Sequence, residues 1–457
     1  MLLRLQVKNF KNLRDVDVRF GPLNCFVGPN GVGKSNVFDA IQFLRALADT
    51  DINSAAQQVR SPQSGSFDPL DLVFDANQAN EMAFAANMLV RQDVIDDFGR
   101  AAHPATTLLR YELGLRYLPS EARLELTKES LVGLKMSEAR DAIGFPQSAE
   151  FRKSTLKPTR RTGPLISYES SPEGVRLLLH QDGGSRGRAV PAGRSPRTVL
   201  GGTNAAEYPT VLAARREMAS WQFLQLEPSV MRTPDAVGGP NHVDERGGHI
   251  AATLARLAAA EEQPGTVYAR AANDLASLVP EVRGIRVDRD EARQQLSVRA
   301  TVKGCAHELG PRSVSDGTLR YLALVTMQMD PDSGDVLCME EPENGMHPSR
   351  MPDMVGLLRD FVVDPSMQVD AWNPARQVIL NTHSPDVVRQ LDPSEVLFIE
   401  TLEGPEGRSA RIAAVAGEWR KGGQTAPYQR LVDFIGGAPI GQAMRQRNLP
   451  FVFGTAQ

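Results

Sequence analysis

The chain has 457 residues, which is long for one domain and suits two or three lobes. Its 51 Lys and Arg nearly balance its 55 Asp and Glu, which gives a net charge of −4. This total charge does not indicate a nucleic-acid partner, but it does not exclude a local basic patch. Hydrophobic residues make up 41%, enough for a sizeable core, and no run approaches the ~20 apolar residues of a membrane-spanning helix.

The cysteines and the opening residues point to a reducing, cytoplasmic setting. Cys25, Cys305 and Cys338 form no C-x-x-C pair or other metal-like spacing, and their odd number argues against a disulfide framework. Cys25 and Cys338 stand in apolar runs, so we expect them to pack in a core. The opening MLLRLQVKNF alternates like a strand and lacks the apolar block of a signal peptide. We therefore expect a cytoplasmic protein with no membrane as a partner.

The first 50 residues predict the start of an α/β nucleotide-binding lobe. Residues 1–27 predict three strands, and a glycine-rich loop follows them. Apolar residues then recur at helical spacing over Val37–Asp49. A strand, a glycine loop and a helix in this order are typical of such lobes. Residues 51–68 are polar and predict a loop.

The rest of the chain predicts further strands, a helical region and a second α/β block. Alternation from Leu108 to Leu126 predicts antiparallel strands, and the pattern turns helical from about Val211 to Leu278. No internal repeat is evident. The predicted division is an N-terminal lobe with the glycine loop at 1–100, an inserted β-rich subdomain with basic loops at 101–235, a helical and strand segment leading back to the first lobe at 236–310, a C-terminal lobe at 311–400 and a tail at 401–457.

The glycine loop, GPNGVGKS, matches the phosphate-binding pattern G-x-x-x-x-G-K-[ST]. Its glycines let backbone amides wrap phosphates, Lys34 brings a charge to the β and γ oxygens, and the Ser35 hydroxyl can ligate Mg²⁺. The helix that follows adds the positive end of its dipole. An ordinary glycine-rich turn would not explain Lys and Ser in register. We expect ATP to be bound by Gly28, Pro29, Asn30, Gly31, Val32, Gly33, Lys34, Ser35 and Asn36.

Two glutamates follow the apolar run VLCM. A P-loop needs an acidic element on a neighbouring strand, and we expect Glu340 to help hold Mg²⁺. Glu341 would polarise the attacking water as general base. The alternative is that the pair only caps a helix or forms salt bridges.

Two later segments carry polar groups that suit a phosphate. In SVSDGTLRY (Ser313–Tyr321), Ser315 and Asp316 predict a helix N-cap, and Gly317 allows close approach of an anion. In NTHSP, His383 follows a predicted strand and could contact a γ-phosphate. The alternative for His383 is an ordinary hydrogen-bonded polar residue.

Taken together, these motifs resemble the ATP-binding-cassette ATPases, and among them the SMC/RecF/OLD-like branch. The first lobe, VKNFKNLRDVDVRFGPLNCFVGPNGVGKSNVFDAIQFL, resembles that branch almost throughout, SVSDGTLR is similar to the signature motif, EEPENGMHP to Walker B with the D-loop, and NTHSP to the switch histidine. The resemblance implies an α/β fold: an ABC-type P-loop head with a mixed sheet, plus an inserted α+β subdomain.

The same resemblance implies a dimer of heads that sandwich two ATP molecules. Ser315 and Gly317 would then contact the γ-phosphate held by the other subunit. The implied catalytic residues are Glu341, His383 and Lys34, the implied metal ligands are Ser35 and Glu340, and the cofactors are ATP and Mg²⁺. The chain departs from the family at Glu340, where Asp is more common. Because Mg²⁺ demands tight octahedral geometry, this departure points to slow hydrolysis or to an adjusted backbone. Gln63 is a weak candidate for the Q-loop.

The sequence leaves the output of the ATPase open. No D-x-D pair follows Glu400, so we expect no built-in Toprim nuclease of the OLD type. A separately encoded effector, either a nuclease or a toxin, would then act with a homodimer or a higher oligomer. One hypothesis is a Mg²⁺-ATPase that gates a DNA-directed repair or anti-phage defence complex. A second is a slow-hydrolysing scaffold that sequesters the effector, and the weakest is the motor subunit of a membrane transporter.

A basic stretch at residues 151–197 is the candidate contact with nucleic acid. It holds ten Lys and Arg against three acids, and such a surplus neutralises phosphates in a salt-dependent way. Only Phe151 and Tyr168 are nearby aromatics, so no base-stacking platform is evident. The alternative is a solvated loop. The candidate residues are Arg152, Lys153, Lys157, Arg160, Arg161, Arg186, Arg188, Arg194 and Arg197.

Overall fold

The computed structural model describes residues 1–59, 68–74, 81–158, 163–171, 174–184, 187–191, 195–405, 407–420 and 423–436. The strands are β1 (Leu2–Phe10), β2 (Leu13–Arg19), β3 (Leu23–Val27), β4 (Glu81–Leu89), β5 (Val94–Ile95), β6 (Ala101–Ala102), β7 (Leu108–Leu118), β8 (Arg123–Gly133), β9 (Ile166–Ser171), β10 (Gly174–Leu179), β11 (Arg188–Pro191), β12 (Gln222–Leu224), β13 (Asp235–Ala236), β14 (Val282–Asp290), β15 (Gln295–Val302), β16 (Val336–Glu340), β17 (Gln377–Thr382), β18 (Val396–Gly404), β19 (Gly407–Val415) and β20 (Gln424–Ala426). The α-helices are α1 (Lys34–Leu47), α2 (Ile52–Gln57), α3 (Met136–Ile143), α4 (Ala149–Thr155), α5 (Pro209–Ala219), α6 (Pro228–Met231), α7 (Ile250–Ala260), α8 (Gly265–Leu278), α9 (Asp316–Met329), α10 (Met351–Phe361), α11 (Pro385–Val388) and α12 (Tyr428–Phe434).

A mixed seven-stranded sheet carries the predicted motifs. Its order is β12-β16-β17-β3-β18-β19-β20, in which the first five strands are parallel and β19 runs antiparallel to β18. In register, Glu340 of β16 lies beside Asn381 of β17, and Thr382 lies beside Val27 of β3. Because these strands are parallel, their carboxyl ends meet at one edge, and the segments that follow them lie close together.

A second sheet, antiparallel and eight-stranded, packs on the side of α1 opposite the mixed sheet. Its order is β11-β10-β9-β8-β7-β4-β1-β2, so strands on both sides of the predicted boundary at residue 100 belong to one sheet. The division into lobes itself stays a prediction. The mixed α/β fold with several sheets, expected from the motifs, is confirmed.

Helix α1 fills the space between the two sheets. Val37, Phe38, Ile41 and Leu44 are buried in the core cluster that also holds residues of β1, β2 and β4. Along β3, Phe26 faces this cluster, while Cys25 faces a second one built from α7 to α10. Cys25 and Cys338 are fully buried, as predicted. This packing anchors the start of α1 below the glycine loop.

Two predicted elements were wrong in detail. Within the predicted loop at 51–68, residues Ile52–Gln57 form α2, because the Asp51 carboxylate caps it by accepting from Ser54 N at 2.9 Å. The predicted helical region from Val211 to Leu278 is interrupted by β12 and β13, and β12 joins the mixed sheet. In the part of the chain described above, no helix is both long and apolar enough to cross a membrane.

Candidate functional site

The glycine loop connects β3 to α1 as the motif predicts. Gly33 has φ 109° and ends the loop at the first residue of the helix. At Gly28, an added Cβ would stand 2.5 Å from the carbonyl oxygen of Ile399, so a side chain would displace the neighbouring strand β18. The first glycine of the loop is therefore packed against β18.

Asn12, in the turn between β1 and β2, supports the loop from below. Its Nδ2 donates to the carbonyl oxygen of Val32 at 3.1 Å, and its Oδ1 accepts from Asn36 Nδ2 at 2.7 Å. A Cβ at Gly33 would collide with the same amide. Sequence reasoning missed Asn12, because a single Asn in a strand turn carries no signal of what it will touch.

The Lys34 ammonium points back into its own loop. Nζ donates to the carbonyl oxygens of Gly28 at 2.6 Å and Pro29 at 2.8 Å, and Asn30 Oδ1 lies 3.4 Å away. The side chain is only 6% exposed. Burial lowers the pKa of Lys34 below its ordinary value, while nearby carboxylates, led by Glu341 and Glu343, act in the opposite direction. The loop thus holds a buried cation within the field of the predicted acidic pair.

Glu341 has a strained backbone at the end of β16. Its φ is 45°, in the left-handed region that residues with a side chain rarely adopt. Its N–H donates to Asn381 through both the carbonyl oxygen, at 3.0 Å, and Oδ1, at 3.1 Å. Such strain persists where surrounding contacts over-determine the conformation, and it clusters at functional sites.

The Glu341 carboxylate is held by two side chains. Oε1 lies 3.0 Å from His383 Nδ1, and Oε2 accepts from Asn344 Nδ2 at 2.9 Å. The His383 side chain is about half exposed, at 48%. The structure therefore brings together two of the predicted catalytic residues, which are far apart in sequence.

One cavity of about 710 Å³ joins the glycine loop to the glutamates. Gly28, Pro29 and Val32 contribute backbone contacts rather than cavity lining, and His383 reaches the site through Glu341. The predicted residues that line it are Asn30, Gly31, Gly33, Lys34, Ser35, Asn36, Glu340 and Glu341.

Gln225 is a lining residue that the sequence did not reveal. It follows β12, which pairs in parallel with β16, so it stands at the same edge as the glutamates. Sequence reasoning missed it because a three-residue strand inside a helical pattern gives almost no periodicity. The weak Q-loop candidate Gln63 lies outside the described residues.

The predicted signature segment faces a different cavity of the same chain. Ser315 caps α9 by accepting from Thr318 N at 3.2 Å, which confirms Ser315 as the N-cap, whereas Asp316 is the first residue of the helix. Ser315 and Gly317 line a cavity of about 550 Å³ together with Met346 and His347. Within one chain, then, the signature is separated from the glycine loop.

The cavity beside the glycine loop contains oxygen ligands suited to a magnesium ion. Ser35 supplies a hydroxyl and Glu340 a carboxylate, and hard oxygen ligands are those that Mg²⁺ prefers. Among the described residues, no cluster of three or more His, Cys, Asp and Glu could hold a metal by itself. An ion here would take the rest of its ligands from phosphate oxygens and water, as is usual for Mg²⁺ with nucleotides.

The described basic residues lie on separate elements. Arg152 and Lys153 belong to α4, where Arg152 Nη1 donates to the carbonyl oxygen of Gln147 at 3.2 Å, and Lys157 follows that helix. Arg188 is exposed on β11, the edge strand of the antiparallel sheet, and Arg197 is exposed beyond it. The other candidates, Arg160, Arg161, Arg186 and Arg194, lie outside the described residues.

Two family models match the chain. Residues 1–93 match "AAA ATPase domain", and residues 200–389 match "AAA domain, putative AbiEii toxin, Type IV TA system". The first range contains the glycine loop, and the second contains the signature segment, both glutamates and His383. These two stretches are thus similar to ATPase domains. A P-loop ATPase domain implies ATP binding.

Short segments of curated relatives are also similar to this chain. An OLD nuclease of Thermus scotoductus is 44% identical over 63 residues, which cover 14% of this chain and 11% of that protein. The DNA replication and repair protein RecF of Bacteroides thetaiotaomicron is 39% identical over 64 residues, covering 14% and 17%. The matches thus span 11% and 17% of the lengths of these two relatives.

Solved SMC heads are similar to this chain over most of its length. The SMC head bound to the C-winged helix domain of ScpA is 12% identical with a TM-score of 0.48, covering 91% of this chain and 98% of that one. The SMC head domain from Thermotoga maritima is 13% identical with a TM-score of 0.38, again covering 91% and 98%.

Proposed function

We propose that this protein is a Mg²⁺-dependent ATPase whose ATP-driven dimerisation gates a DNA-directed repair or anti-phage defence complex. The observation that carries the proposal is the joint lining of one cavity by Lys34, Ser35 and the Glu340–Glu341 pair. A cation, a hydroxyl and two carboxylates are the groups that phosphoryl transfer to water uses.

In the proposed reaction, Lys34 turns from its loop carbonyls to the β- and γ-phosphate oxygens. Glu341 accepts a proton from water as the water oxygen bonds to the γ-phosphorus and the bond to the β–γ bridging oxygen breaks. His383, 3.0 Å from Glu341 Oε1, holds that carboxylate and contacts the γ-phosphate. Ser35 and Glu340 are the residues that would hold Mg²⁺, which neutralises phosphate charge when bound. Gln225, at the edge of the same cavity, would serve as the Q-loop in place of Gln63.

The position of the signature segment supports the proposed dimer. Ser315 and Gly317 open helix α9 and line a cavity separate from the glycine loop, so in the proposed reaction a second head brings them to the γ-phosphate. A helix N-terminus is an anion site, and ATP would join the two heads until hydrolysis removes it.

Light scattering tests the dimer. With Mg²⁺ and ATP, the Glu341→Gln protein is expected to double its mass from 49.9 kDa, and the same protein with Lys34→Ala added is expected to stay monomeric. Glu121→Gln, at an exposed turn that lines neither cavity, is the matched control and should behave as the wild type. A monomer in every nucleotide state would contradict ATP-driven dimerisation.

A second candidate function is a slow-hydrolysing scaffold that sequesters an effector. Both oxygens of Glu341 already accept or contact a neighbour, His383 or Asn344, and Glu340 stands where the family more often has Asp. Both features favour slow turnover. Stable ATP binding with no phosphate release, with or without DNA, would select this alternative.

The effector is proposed to be a separately encoded nuclease or toxin. The support is the family model named for a toxin of a type IV system, together with the similarity to an OLD nuclease and to RecF. Purification of the Glu341→Gln protein from its native host, followed by mass spectrometry, tests this. A nuclease or toxin that is retained with ATP and lost with Lys34→Ala supports gating, whereas recovery of the chain alone contradicts it.

A further inference from the structure

A third carboxylate, Glu343, lies buried beside the predicted acidic pair. It is 9% exposed, and its Oε1 accepts a hydrogen bond from the Thr382 hydroxyl. Its Oε2 is buried without a hydrogen-bond partner among the described residues. Glu343 does not line the cavity of the glycine loop, so a direct contact with nucleotide does not account for it. A buried, half-satisfied carboxylate at this place needs a reason, because it costs stability.

The Thr382 hydroxyl connects Glu343 to the backbone on the far side of His383. While donating to Glu343 Oε1, this hydroxyl accepts from Ser384 N at 2.9 Å. Thr382 is fully buried at the end of β17, and its bond with Ser384 N links the two residues that flank His383 in the chain. The backbone on both sides of His383 is therefore tied to the Thr382 hydroxyl.

The Nδ1 nitrogen of His383 also lies near two carboxylates. Nδ1 is 3.0 Å from Glu341 Oε1 and 4.0 Å from Glu343 Oε1. A carboxylate can only accept hydrogen bonds, so Glu343 fixes the direction of the Thr382 proton and turns a lone pair of that oxygen toward Ser384. A glutamine could donate to Thr382 instead and would release this constraint.

We propose that Glu343 is a positioning residue for ATP hydrolysis, acting through Thr382 and Ser384 to hold His383 against Glu341. This inference rests on the proposed function, because the orientation of His383 affects turnover only if the site hydrolyses ATP. It assigns no contact with nucleotide to Glu343 or Thr382. Loss of the Glu343–Thr382 bond should therefore lower kcat and leave ATP affinity unchanged.

Isosteric substitutions test the role of the hydrogen bond between Glu343 and Thr382. Thr382→Val and Glu343→Gln are expected to lower kcat by about tenfold or more while KM and the Kd for a fluorescent ATP analogue stay within about twofold. Thr382→Ser keeps the hydroxyl and should retain kcat within about twofold. Wild-type kcat in Thr382→Val would overturn the proposal, and so would an equal loss of kcat in Thr382→Ser. A loss of ATP affinity that matches the loss of kcat would show a merely structural role and would also overturn it.

A nitrogen-15 NMR measurement of the His383 imidazole, on the same proteins without nucleotide, separates the inference from the proposed function. We expect its ring nitrogen shifts to change in Thr382→Val and Glu343→Gln and to stay as in the wild type in Thr382→Ser. If the wild type releases no phosphate but these shifts follow the pattern, hydrolysis is wrong and the positioning of His383 stands. If the wild type turns over and the shifts are the same in all four proteins, hydrolysis stands and the positioning role fails.

Discussion

His383 Nδ1 lies 3.0 Å from Glu341 Oε1, although the two residues follow different strands. The parallel pairing of β16 with β17 creates this contact, because it sets Glu340 beside Asn381 and carries the next residues past the same sheet edge. The contact between these two predicted catalytic residues is therefore a product of strand register. Residues that fix these two strand ends, including Asn381 and Thr382, therefore also fix the contact between Glu341 and His383.

Asn12→Ala should weaken ATP binding, although Asn12 does not line the cavity beside the glycine loop. The substitution removes the hydrogen bonds to Val32 and Asn36, each worth about 0.5–1.5 kcal/mol, and loosens the loop that wraps the phosphates. We expect the Kd for a fluorescent ATP analogue to rise about tenfold in an equilibrium titration. The exposed Asn241→Ala is the matched control. An unchanged Kd in Asn12→Ala would show that the loop needs no support from this turn.

The motifs were predictable because each is local, whereas the contacts between them were not. The glycine loop, the helix after it and the Ser315 cap depend on neighbouring residues, and their patterns are specific. Asn12, Gln225 and Glu343 depend on which strands pair, and a single sequence does not define that pairing. The same reason explains the antiparallel sheet, where β1 and β4 adjoin each other although about 70 residues separate their ends.

The proposed site shared between two subunits predicts complementation between two inactive proteins. Lys34→Ala removes the phosphate-binding cation, and Ser315→Arg blocks the signature with a bulky side chain. If each site uses the loop of one subunit and the signature of the other, a mixed dimer keeps one intact site. An equal mixture should therefore recover about a quarter of wild-type turnover in a phosphate-release assay, while each protein alone is inactive.

The control for this mixture is Ser277→Arg, on an exposed position of α8, which should be active by itself. A mixture that stays as inactive as its components would mean that each site is built within one chain.

Stability should fall as the pH rises from about 5 to 8. Glu129 is fully buried and accepts from Tyr111 Oη, Val199 N and Leu200 N at 2.7–3.1 Å, and burial raises its pKa from 4.5 to about 7. A carboxyl whose pKa is raised in the folded state binds its proton more tightly there, so its contribution is present below pH 4.5 and is lost as the pH passes about 7. This pKa shift corresponds to a change in the free energy of unfolding on the order of 3 kcal/mol.

Thermal melting at pH 5 and pH 8 tests this prediction. We expect the wild type to melt lower at pH 8, and Glu129→Gln to show a smaller difference, because Gln does not titrate. Some difference should persist, since burial also raises the pKa of Glu395 to about 7. The exposed Glu121→Gln should match the wild type. An equal difference in Glu129→Gln would refute the assignment of the effect to this residue.

DNA binding, if present, should depend on α4. Reversing charge with Arg152→Glu and Lys153→Glu should weaken binding to a DNA duplex and lower the slope of log K against log salt by about 2. The matched control reverses two exposed cations elsewhere, Arg293→Glu and Lys303→Glu. Fluorescence anisotropy at several salt concentrations measures the DNA affinity and the salt slope of both double variants. Equal effects in the two double variants would remove the assignment of nucleic-acid contact to this helix.

Phosphate release under single turnover tests the central claim most directly. Wild type, Glu341→Gln and Glu121→Gln are mixed with ATP and Mg²⁺, and phosphate is followed with time. The structure predicts that Glu341→Gln binds ATP as tightly as the wild type and releases phosphate at least about a hundredfold more slowly, with Glu121→Gln unaffected. Equal release rates in the wild type and Glu341→Gln would contradict the assignment of Glu341 as general base and, with it, the proposed site of hydrolysis.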